Sequence, residues 1–279
     1  MVRVVVDSTA DLPPELAAAW GITVVPCVIH FGRESFRDGL ELSLAEFYRR
    51  LETESALPTT ASPGPEVFAQ VYRRLAAESE QIVSIHLSAK LSAVYNSARL
   101  GARDVTQTQV AVVDGGSVTM GLGWQAVMAA RWARDGCSLE DIVRRLEQSR
   151  PRIRVLALLD TIEFLRRGGR VNRAVAMLSA LLDVKPMISV EGGDVLPLGR
   201  VRSRKKALDR LVSLVEELGR LEELAVLHTR ALSDAHALAA RLAASFPRQR
   251  VVIAEVGPII GTHVGPNGLG VACVTSESG

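Results

Sequence analysis

The segment Gly257–Pro266 (GPIIGTHVGP) holds one histidine, His263, among closely spaced glycine and proline residues. Thr262 precedes the histidine, and Gly261 lies one residue further back. Glycine lets a backbone approach another group closely, and an imidazole can donate a hydrogen bond to an anion. Core packing would not require this much backbone specialisation. The segment is therefore predicted to be a rigid loop that binds an anion, with His263 as the donor.

Two other segments place hydroxyl side chains directly after an apolar run that we interpret as a strand. Asp7–Pro13 (DSTADLP) contains Ser8, and in Leu87–Ala98 (LSAKLSAVYNSA) Ser88 and Ser92 lie one helical turn apart. In parallel α/β sheets, ligands bind just beyond the carboxyl ends of the strands. We therefore expect Ser8 and Ser92 near a ligand, although serines at such positions also cap the helix that follows.

A third hydroxyl-rich segment, Pro58–Pro63 (PTTASP), directly precedes a predicted helix. The free amides and the dipole at a helix N-terminus favour an anion. Thr59, Thr60 and Ser62 add hydroxyl donors at the same place, which predicts a site for a carboxylate or a phosphate. The alternative is that Ser62 serves only as the N-cap of the helix.

Basic residues concentrate in two segments. Arg166–Arg170 (RRGGR) sets Arg167 and Arg170 on either side of a glycine pair, and Arg200–Lys206 (RVRSRKK) contains Arg202. A guanidinium group binds carboxylates and phosphates with two parallel hydrogen bonds. The first segment is interpreted either as an anion-binding group or as a charged helix end with a glycine stop. The second is either a solvated face or a docking surface for an acidic partner or a nucleotide.

Other well-known chemistries have little support. The segment Asp114–Gly123 (DGGSVTMGLG) overlaps a GxGxxA pattern at Gly121–Ala126. In a dinucleotide-binding fingerprint the pattern follows its strand directly, whereas here six residues separate Asp114 from Gly121. We therefore interpret these glycines as positions of close helix packing rather than as an NAD-binding loop. The sequence has no GxSxG and no GxxxxGK[ST] motif, and its five histidines show no metal-ligand spacing. We expect neither a metal ion nor a cofactor.

The 279-residue chain is long enough for two domains, and 48% hydrophobic with 23% charged residues is typical of a globular protein. A net charge of +2 and an aromatic content of 4% do not indicate a nucleic-acid-binding protein. Cys27, Cys137 and Cys273 are isolated in the sequence and are expected to be reduced. No apolar run reaches the ~20 residues needed to span a bilayer, and no signal-peptide pattern is present, so we expect a cytoplasmic location.

Apolar runs alternate with amphipathic helical patterns in the first half, which predicts an α/β fold with a mostly parallel sheet. Capping-box patterns at Ser43 and Ser138 mark two helix starts. The predicted strands are Val2–Val6, Ile22–His30, Gln81–Leu87 and Val110–Val113, and the predicted helices are Leu44–Glu52, Glu66–Ser79 and Leu139–Gln148.

The second half is predicted to be mixed α/β, with a hairpin turn at Glu191–Asp194 (EGGD). We place the boundary between two domains, 1–150 and 151–279, where a charged helix end meets Pro151. The predicted strands are Ile153–Leu159, Met187–Val190, Val195–Val201, Leu224–Thr229, Val251–Val256 and Val271–Val274, and the predicted helices are Lys205–Leu218 and Ser233–Ser245.

Taken in chain order, these motifs resemble those of the DegV family, fatty-acid-binding proteins that include the binding subunit of bacterial fatty acid kinase. The likeness covers nearly the whole chain. Besides the segments quoted above, it is carried by Val112–Gly123 (VVDGGSVTMGLG), Leu159–Val171 (LDTIEFLRRGGRV), Leu181–Pro186 (LLDVKP), Pro197–Leu208 (PLGRVRSRKKAL) and Gly257–Val271 (GPIIGTHVGPNGLGV).

The resemblance implies a two-domain α/β protein that holds one long-chain fatty acid between its domains. It assigns the carboxylate to Thr60 and Ser92 with His263 nearby, and it associates Arg167 and Arg170 with the end that faces a partner. That partner is a separate ATP-dependent kinase, to which the acid is presented for acyl-phosphate formation. The resemblance thus implies a non-catalytic protein with at most transient contact with a membrane surface.

Two departures from the family pattern fall in the hydroxyl segments: Ala61 replaces a second hydroxyl residue, and Ala93–Val94 replaces a glycine and a threonine. Two other functions stay open at this point. One is a stand-alone acyl or phosphoryl enzyme that uses His263 and Ser92. The other is a nucleic-acid regulator that uses Arg200–Lys206.

Overall fold

The computed structural model describes residues 1–170, 184–244, 246–247 and 250–276. The motif Leu181–Pro186, the last residue of Leu159–Val171 and the end of the predicted helix Ser233–Ser245 therefore lie wholly or partly outside the described residues. The fold is α/β, as the sequence predicts, and three sheets form its framework.

The first sheet is fully parallel, with the strand order β2–β1–β6–β7. Its central strand β1 is rich in valine, and Val5 and Val6 are both completely buried. Such runs suit a parallel strand because helices cover both of its faces. The strands of this sheet are β1 (Arg3–Asp7), β2 (Thr23–Val25), β6 (Gln81–His86) and β7 (Gln109–Asp114).

The prediction of one strand over Ile22–His30 is wrong, because the chain changes sheets in the middle of this segment. Pro26, which has no amide hydrogen to donate, follows the last residue of β2. The next strands form a separate antiparallel sheet of order β4–β3–β5, whose members are β3 (Val28–Phe31), β4 (Glu34–Arg37) and β5 (Thr59–Ala61).

The third sheet has six strands in the order β10–β9–β8–β13–β11–β12, and every pair is antiparallel except β11 with β12. Gly192 and Gly193, both at positive φ, turn β9 into β10 and confirm the predicted hairpin. The strands are β8 (Ile153–Leu158), β9 (Lys185–Glu191), β10 (Asp194–Val201), β11 (Leu221–His228), β12 (Val252–Glu255) and β13 (Leu269–Thr275).

The predicted caps at Ser43 and Ser138 are confirmed, since their hydroxyls accept the amides of Glu46 and Asp141. No helix in the described residues is long and apolar enough to cross a bilayer. The helices are α1 (Pro14–Trp20), α2 (Leu44–Thr53), α3 (Pro65–Ala76), α4 (Val94–Arg103), α5 (Thr119–Arg134), α6 (Leu139–Ser149), α7 (Glu163–Arg167), α8 (Arg204–Glu217), α9 (Leu232–Leu242) and α10 (Pro258–Val264).

Helix α5 connects the parallel sheet to the six-stranded sheet. A Cβ atom on Gly121 would lie 2.6 Å from Val155 in β8, so this glycine permits the close helix packing that the sequence predicts. On the same helix, Trp124 Nε1 donates a hydrogen bond to the carbonyl of Ala272 in β13, at 3.0 Å. Because α5 packs on both sheets, the division into domains at residue 150 stays a prediction.

A buried chain of hydrogen bonds runs through the parallel sheet. The Tyr72 hydroxyl donates to Ser84 Oγ at 2.8 Å, Ser84 Oγ lies 2.7 Å from His86 Nε2, and His86 Nδ1 lies 3.0 Å from Asp7 Oδ2. Asp7 Oδ2 also accepts the amide of Leu87. Burial raises the pKa of Asp7, but these partners outweigh burial and hold it below its ordinary value. Asp7 is therefore buried as a carboxylate, stabilised by its partners.

We expect His86→Ala to lower the free energy of unfolding by about 3–5 kcal/mol, because it leaves the Asp7 carboxylate buried with a major partner removed. The measurement is urea-induced unfolding followed by circular dichroism. Ser43→Ala, which removes an exposed helix cap, should cost about 1 kcal/mol and serves as the control. A loss in His86→Ala no larger than in this control would contradict the role given to the network.

Candidate functional site

Four of the predicted polar residues border one cavity. Thr60 lies on β5, Ser92 in the turn before α4, His263 in α10, and Arg170 three residues beyond the end of α7. Thr60 Oγ1 lies 3.4 Å from Nε2 of His263, although 203 positions separate the two residues. The fold thus brings together the hydroxyl, imidazole and guanidinium groups that the sequence singles out.

The remaining wall of this cavity is aliphatic, and its volume is about 80 Å³. The wall draws on the turn before α4, the start of α5, α7, the hairpin β9–β10 and α10. Its apolar members are Leu87, Leu91, Val118, Leu165, Ile188, Val190, Val195, Ile259, Ile260 and Val264.

Two wider clefts meet the cavity at Arg170. One measures about 430 Å³ and is bordered by Thr59, Thr60, Arg167 and His263 as well. The other measures about 320 Å³ and lies beside the hairpin β9–β10. The polar groups therefore lie where the narrow apolar cavity opens toward the surface.

Arg170 is fixed by backbone contacts at this opening. Its Nε donates to the carbonyl of Leu91 at 3.3 Å, and its Nη1 donates to the carbonyl of Gly168 at 2.8 Å. No carboxylate of the described residues forms an ion pair with Arg170. Its positive charge is thus held at the opening without a protein counter-ion among these residues.

His263 is neutral at physiological pH, so any hydrogen bond that it donates to an anion comes from an uncharged imidazole. Burial, reinforced by the charge of Arg170, lowers the pKa of His263 to about 4. Nδ1 is buried without a hydrogen-bond partner among the described residues. A neutral imidazole carries a proton on one nitrogen only, so Nε2 donates or accepts toward Thr60 depending on the tautomer.

The segment around His263 is a helix, α10, and not the loop that its glycines suggest. The close backbone approach expected from these glycines is nevertheless present. A Cβ atom on Gly261 would lie 2.8 Å from Phe47 and 2.9 Å from the Tyr48 hydroxyl, and one on Gly168 would overlap the His263 ring. These glycines therefore permit α10 to pack tightly and leave room for the imidazole.

Two further corrections concern the hydroxyl segments. Thr59 and Thr60 lie on strand β5, and the N-cap of α3 is Gly64 rather than Ser62. Helix α4 begins at Val94, so Ser88 and Ser92 precede it instead of lying in its first turn. Helix α3 therefore begins at Pro65, five positions after Thr60.

Three predicted neighbours of the site have partners of their own. Ser62 Oγ lies 3.2 Å from Ser92 Oγ, next to the cavity. The buried Thr262 hydroxyl donates within α10, to the carbonyl four residues earlier, at 2.8 Å. Arg167 Nε pairs with Glu163 at 2.5 Å and leaves its side chain half exposed beside the wider cleft.

Two predicted residues lie away from this cavity. Ser8 Oγ accepts the amide of Cys27 at 3.1 Å, and Ser8 borders a different cleft beside α1. Arg202 is exposed in the turn between β10 and α8 and does not border the cavity. The 3₁₀ turn that follows β1 directs Ser8 toward Cys27, and no sequence pattern anticipates that direction.

The aliphatic residues that the second half of the chain contributes to the cavity wall are not among the site residues predicted from sequence. Ile188 and Val190 are alternate residues of β9, so they share a face, and Val195 in β10 pairs with Val190 across the hairpin. This period of two is a usable signal, but it does not tell which side of the sheet faces a ligand. Separately, the described residues contain no cluster of three or more metal-ligating side chains.

Comparisons with known proteins identify the family. The family model described as an uncharacterised protein, DegV family, matches residues 1–276. A DegV domain-containing protein of Streptomyces coelicolor is 38% identical over 274 residues, which is 97% of each chain. This chain belongs to the DegV family.

Two solved structures extend the comparison to the fold. A fatty-acid-binding DegV family protein of Thermus thermophilus matches with a TM-score of 0.90 at 33% identity, covering 99% of each chain. DegV of Bacillus subtilis, a fatty-acid-binding protein, matches with a TM-score of 0.88 at 31% identity, covering 98% of this chain and 99% of that one. The whole α/β architecture is thus shared with these proteins.

We expect the imidazole of His263 to titrate near pH 4 in an NMR pH series, well below the ordinary value of 6.5. Below pH 6.5 the unfolded chain takes up a proton that the folded chain does not, so the contribution of His263 to stability falls between pH 6.5 and about pH 4. Arg170→Met should raise the pKa but leave it below 6.5, because burial is the larger cause. A His263 pKa at or above 6.5 would contradict the burial described here.

Proposed function

We propose that this protein binds one long-chain fatty acid, with the carboxylate at Thr60, Ser92 and His263 and the acyl chain against the aliphatic wall. The observation that carries the proposal is the opening of the cavity, where two hydroxyls, an imidazole and a guanidinium border an otherwise apolar space. The related proteins of Thermus thermophilus and Bacillus subtilis are fatty-acid-binding proteins, which supports the same ligand class here.

The acyl chain supplies most of the binding free energy. Each methylene removed from water contributes about 0.8 kcal/mol, so a long chain contributes roughly 10 kcal/mol before the cost of ordering it. The wall residues Leu91, Ile188 and Ile259 have flexible or branched aliphatic side chains that contact such a chain without hydrogen bonds. Affinity on this basis depends on chain length.

The headgroup requires donors, because an ionised carboxylate without partners is strongly disfavoured in an apolar site. The hydroxyls of Thr60 and Ser92 can donate, and His263 can donate through Nε2 in one of its neutral tautomers. Arg170 adds a positive charge beside the same opening. These groups make the site selective for an acid over an uncharged lipid of equal length.

The cavity must widen for a long chain. Its volume of about 80 Å³ is well below the roughly 300–1,000 Å³ of typical ligand pockets. Because its wall consists of side chains from several separate elements, rotamer changes and small shifts of α7 or the hairpin β9–β10 enlarge it. Binding is therefore accompanied by movement of the wall.

We also propose that the bound carboxylate is presented to a separate ATP-dependent kinase that forms the acyl phosphate. The cleft that contains Arg167 and Arg170 gives a partner access to the carboxylate end of the cavity. Presentation explains why the polar groups lie at the opening and not in the interior. A basic rim also suits the additional negative charge of a transferred phosphoryl group.

The alternative of a stand-alone enzyme has less support from the geometry. His263 Nε2 faces Thr60 at 3.4 Å, and its Nδ1 has no carboxylate to orient it among the described residues. A serine, a histidine and an aspartate do meet at Ser84, His86 and Asp7, but all three are completely buried, so a substrate has no access.

Replacing Thr60 or Ser92 by alanine should weaken fatty-acid binding roughly tenfold or more, since a hydrogen bond to a charged group is worth about 1.5–3 kcal/mol. Isothermal titration calorimetry with palmitate measures the change. Thr59→Ala removes the neighbouring exposed hydroxyl and should leave affinity unchanged. Equal affinity of the parent protein for palmitate and for the matching fatty alcohol would overturn the carboxylate assignment.

Arg167→Ala should leave palmitate affinity unchanged and reduce acyl-phosphate formation in an assay coupled to a fatty acid kinase, because Arg167 borders the outer cleft but not the cavity. Arg170→Ala should reduce both, since Arg170 borders both spaces. Arg202→Ala, at a distant exposed arginine, is the matched control. Normal phosphorylation of the acid held by Arg167→Ala would refute the presentation surface.

A further inference from the structure

A second cleft, of about 670 Å³, is bordered by two strands that lie at the edges of their sheets. One is β2 of the parallel sheet, and the other is β12 of the six-stranded sheet. Helix α1 and the segment that follows β4 complete its walls. The cleft shares no residue with the cavity at Thr60, and the proposed fatty-acid function makes no use of it.

The edge of β12 that faces away from β11 has free backbone groups. The amide of Val256 donates to the carbonyl of His228 in β11, at 2.9 Å. Backbone groups of successive strand residues point to alternate sides, so Ile253 and Glu255 direct their amides and carbonyls away from β11. Among the described residues, no strand pairs with this side of β12. Both residues border the cleft, which places the free edge beside it.

The two edges of the six-stranded sheet differ in how they are protected. The edge strand β10 contains Pro197 and a register shift between Pro197 and Gly199, and such features hinder pairing with a further strand. Strand β12 (VIAE) contains no proline, no lysine and no register shift, and its Val252 and Ile253 favour extended structure. Its edge is therefore open to a short additional strand of about the same length.

The cleft beside this edge has room for side chains as well as for a backbone. Its volume of about 670 Å³ lies within the roughly 300–1,000 Å³ of typical binding sites. Its walls are mainly apolar, and Val24 and Leu40 leave 40% and 66% of their surface exposed there. An added strand would therefore cover apolar surface that is now in contact with water.

All the charged side chains that border the cleft are acidic. Asp11 and Asp38 are hydrogen-bonded within the protein. Glu15 is exposed, Glu255 is partly exposed, and neither forms an ion pair with a lysine, arginine or histidine of the described residues. The accessible charge of this surface is thus negative and uncompensated, which favours a basic occupant.

We propose that an extended segment of a partner protein, with alternating apolar and basic residues, adds a strand to the free edge of β12. Its main chain exchanges hydrogen bonds with Ile253 and Glu255. Its apolar side chains cover Val24 and Leu40, and its lysine or arginine side chains lie beside Glu15 and Glu255. A second copy of β12 suits this place less well, because it would bring another Glu255 to an acidic surface.

The test titrates the isotope-labelled full-length protein with the peptide acetyl-KVKVKV-amide at neutral pH and follows the amide chemical shifts. This peptide should bind saturably with a Kd of about 1 mM or lower, and acetyl-EVEVEV-amide should bind at least about tenfold more weakly. The amides of Ile253 and Glu255 should shift and exchange with solvent more slowly. Absence of saturable binding, or equal binding of the two peptides, would overturn the proposal.

A chemically modified peptide separates strand addition from simple charge attraction. Fully N-methylated acetyl-KVKVKV-amide keeps the same charges and side chains but has no amide donor, so it should bind at least about tenfold more weakly. Equal binding of the methylated and unmethylated peptides would refute pairing with β12. Slow amide exchange of Ile253 without peptide, increasing with protein concentration, would identify a second copy of the chain as the occupant and would also overturn the proposal.

Variants locate the charges that are recognised. Glu15→Lys and Glu255→Lys should each weaken binding of the basic peptide several-fold, whereas Glu147→Lys, at an exposed position of α6 outside the cleft, should not change it. Unchanged binding in both cleft variants would contradict the proposed charge recognition. Palmitate affinity should stay constant in Glu15→Lys, and peptide binding should stay constant in Thr60→Ala, so failure of either site is recognised separately.

Discussion

The tight packing of helix α10 is the constraint on which the candidate site depends. Phe47 and Tyr48 touch the helix where Gly261 has no side chain, and the Tyr48 hydroxyl donates to the carbonyl of Val256 at 2.7 Å, just before the helix. These contacts set the helix at a depth where His263 reaches Thr60. A larger residue at position 261 would push the helix outward, and the imidazole would leave the cavity.

The depth at which α10 packs also determines the charge state of His263. His263 is buried enough to stay neutral, and Arg170 provides the permanent positive charge beside the opening. A neutral imidazole costs little to bury among aliphatic side chains, whereas a second cation next to Arg170 would be repelled. The division of roles, with neutral donors inside and the guanidinium at the rim, suits a ligand that is apolar along its length and charged at one end.

Three aspartates near the N-terminal strand illustrate how tertiary partners decide the state of a carboxyl group. Asp7 is ionised because His86 and a backbone amide bind it. Asp11, four positions later, lacks a cationic partner among the described residues, and its pKa is raised instead. Asp38 joins Asp11 at the N-terminus of α10. The N-terminal end of α10 thus lies beside the carboxyl groups of Asp11 and Asp38. Its C-terminal end, at His263, borders the cavity whose opening carries Arg170.

The sequence by itself determined the family, the α/β class, the parallel sheet, the hairpin and most helix starts, because caps, glycine turns and apolar periods are local. It also singled out Thr60, Ser92, His263 and Arg170. Tertiary structure alone decided that His263 is helical and neutral, that the PTTASP segment contains a strand, and that Ser8 faces another cleft. These outcomes depend on burial and on contacts between distant segments, which no local pattern encodes.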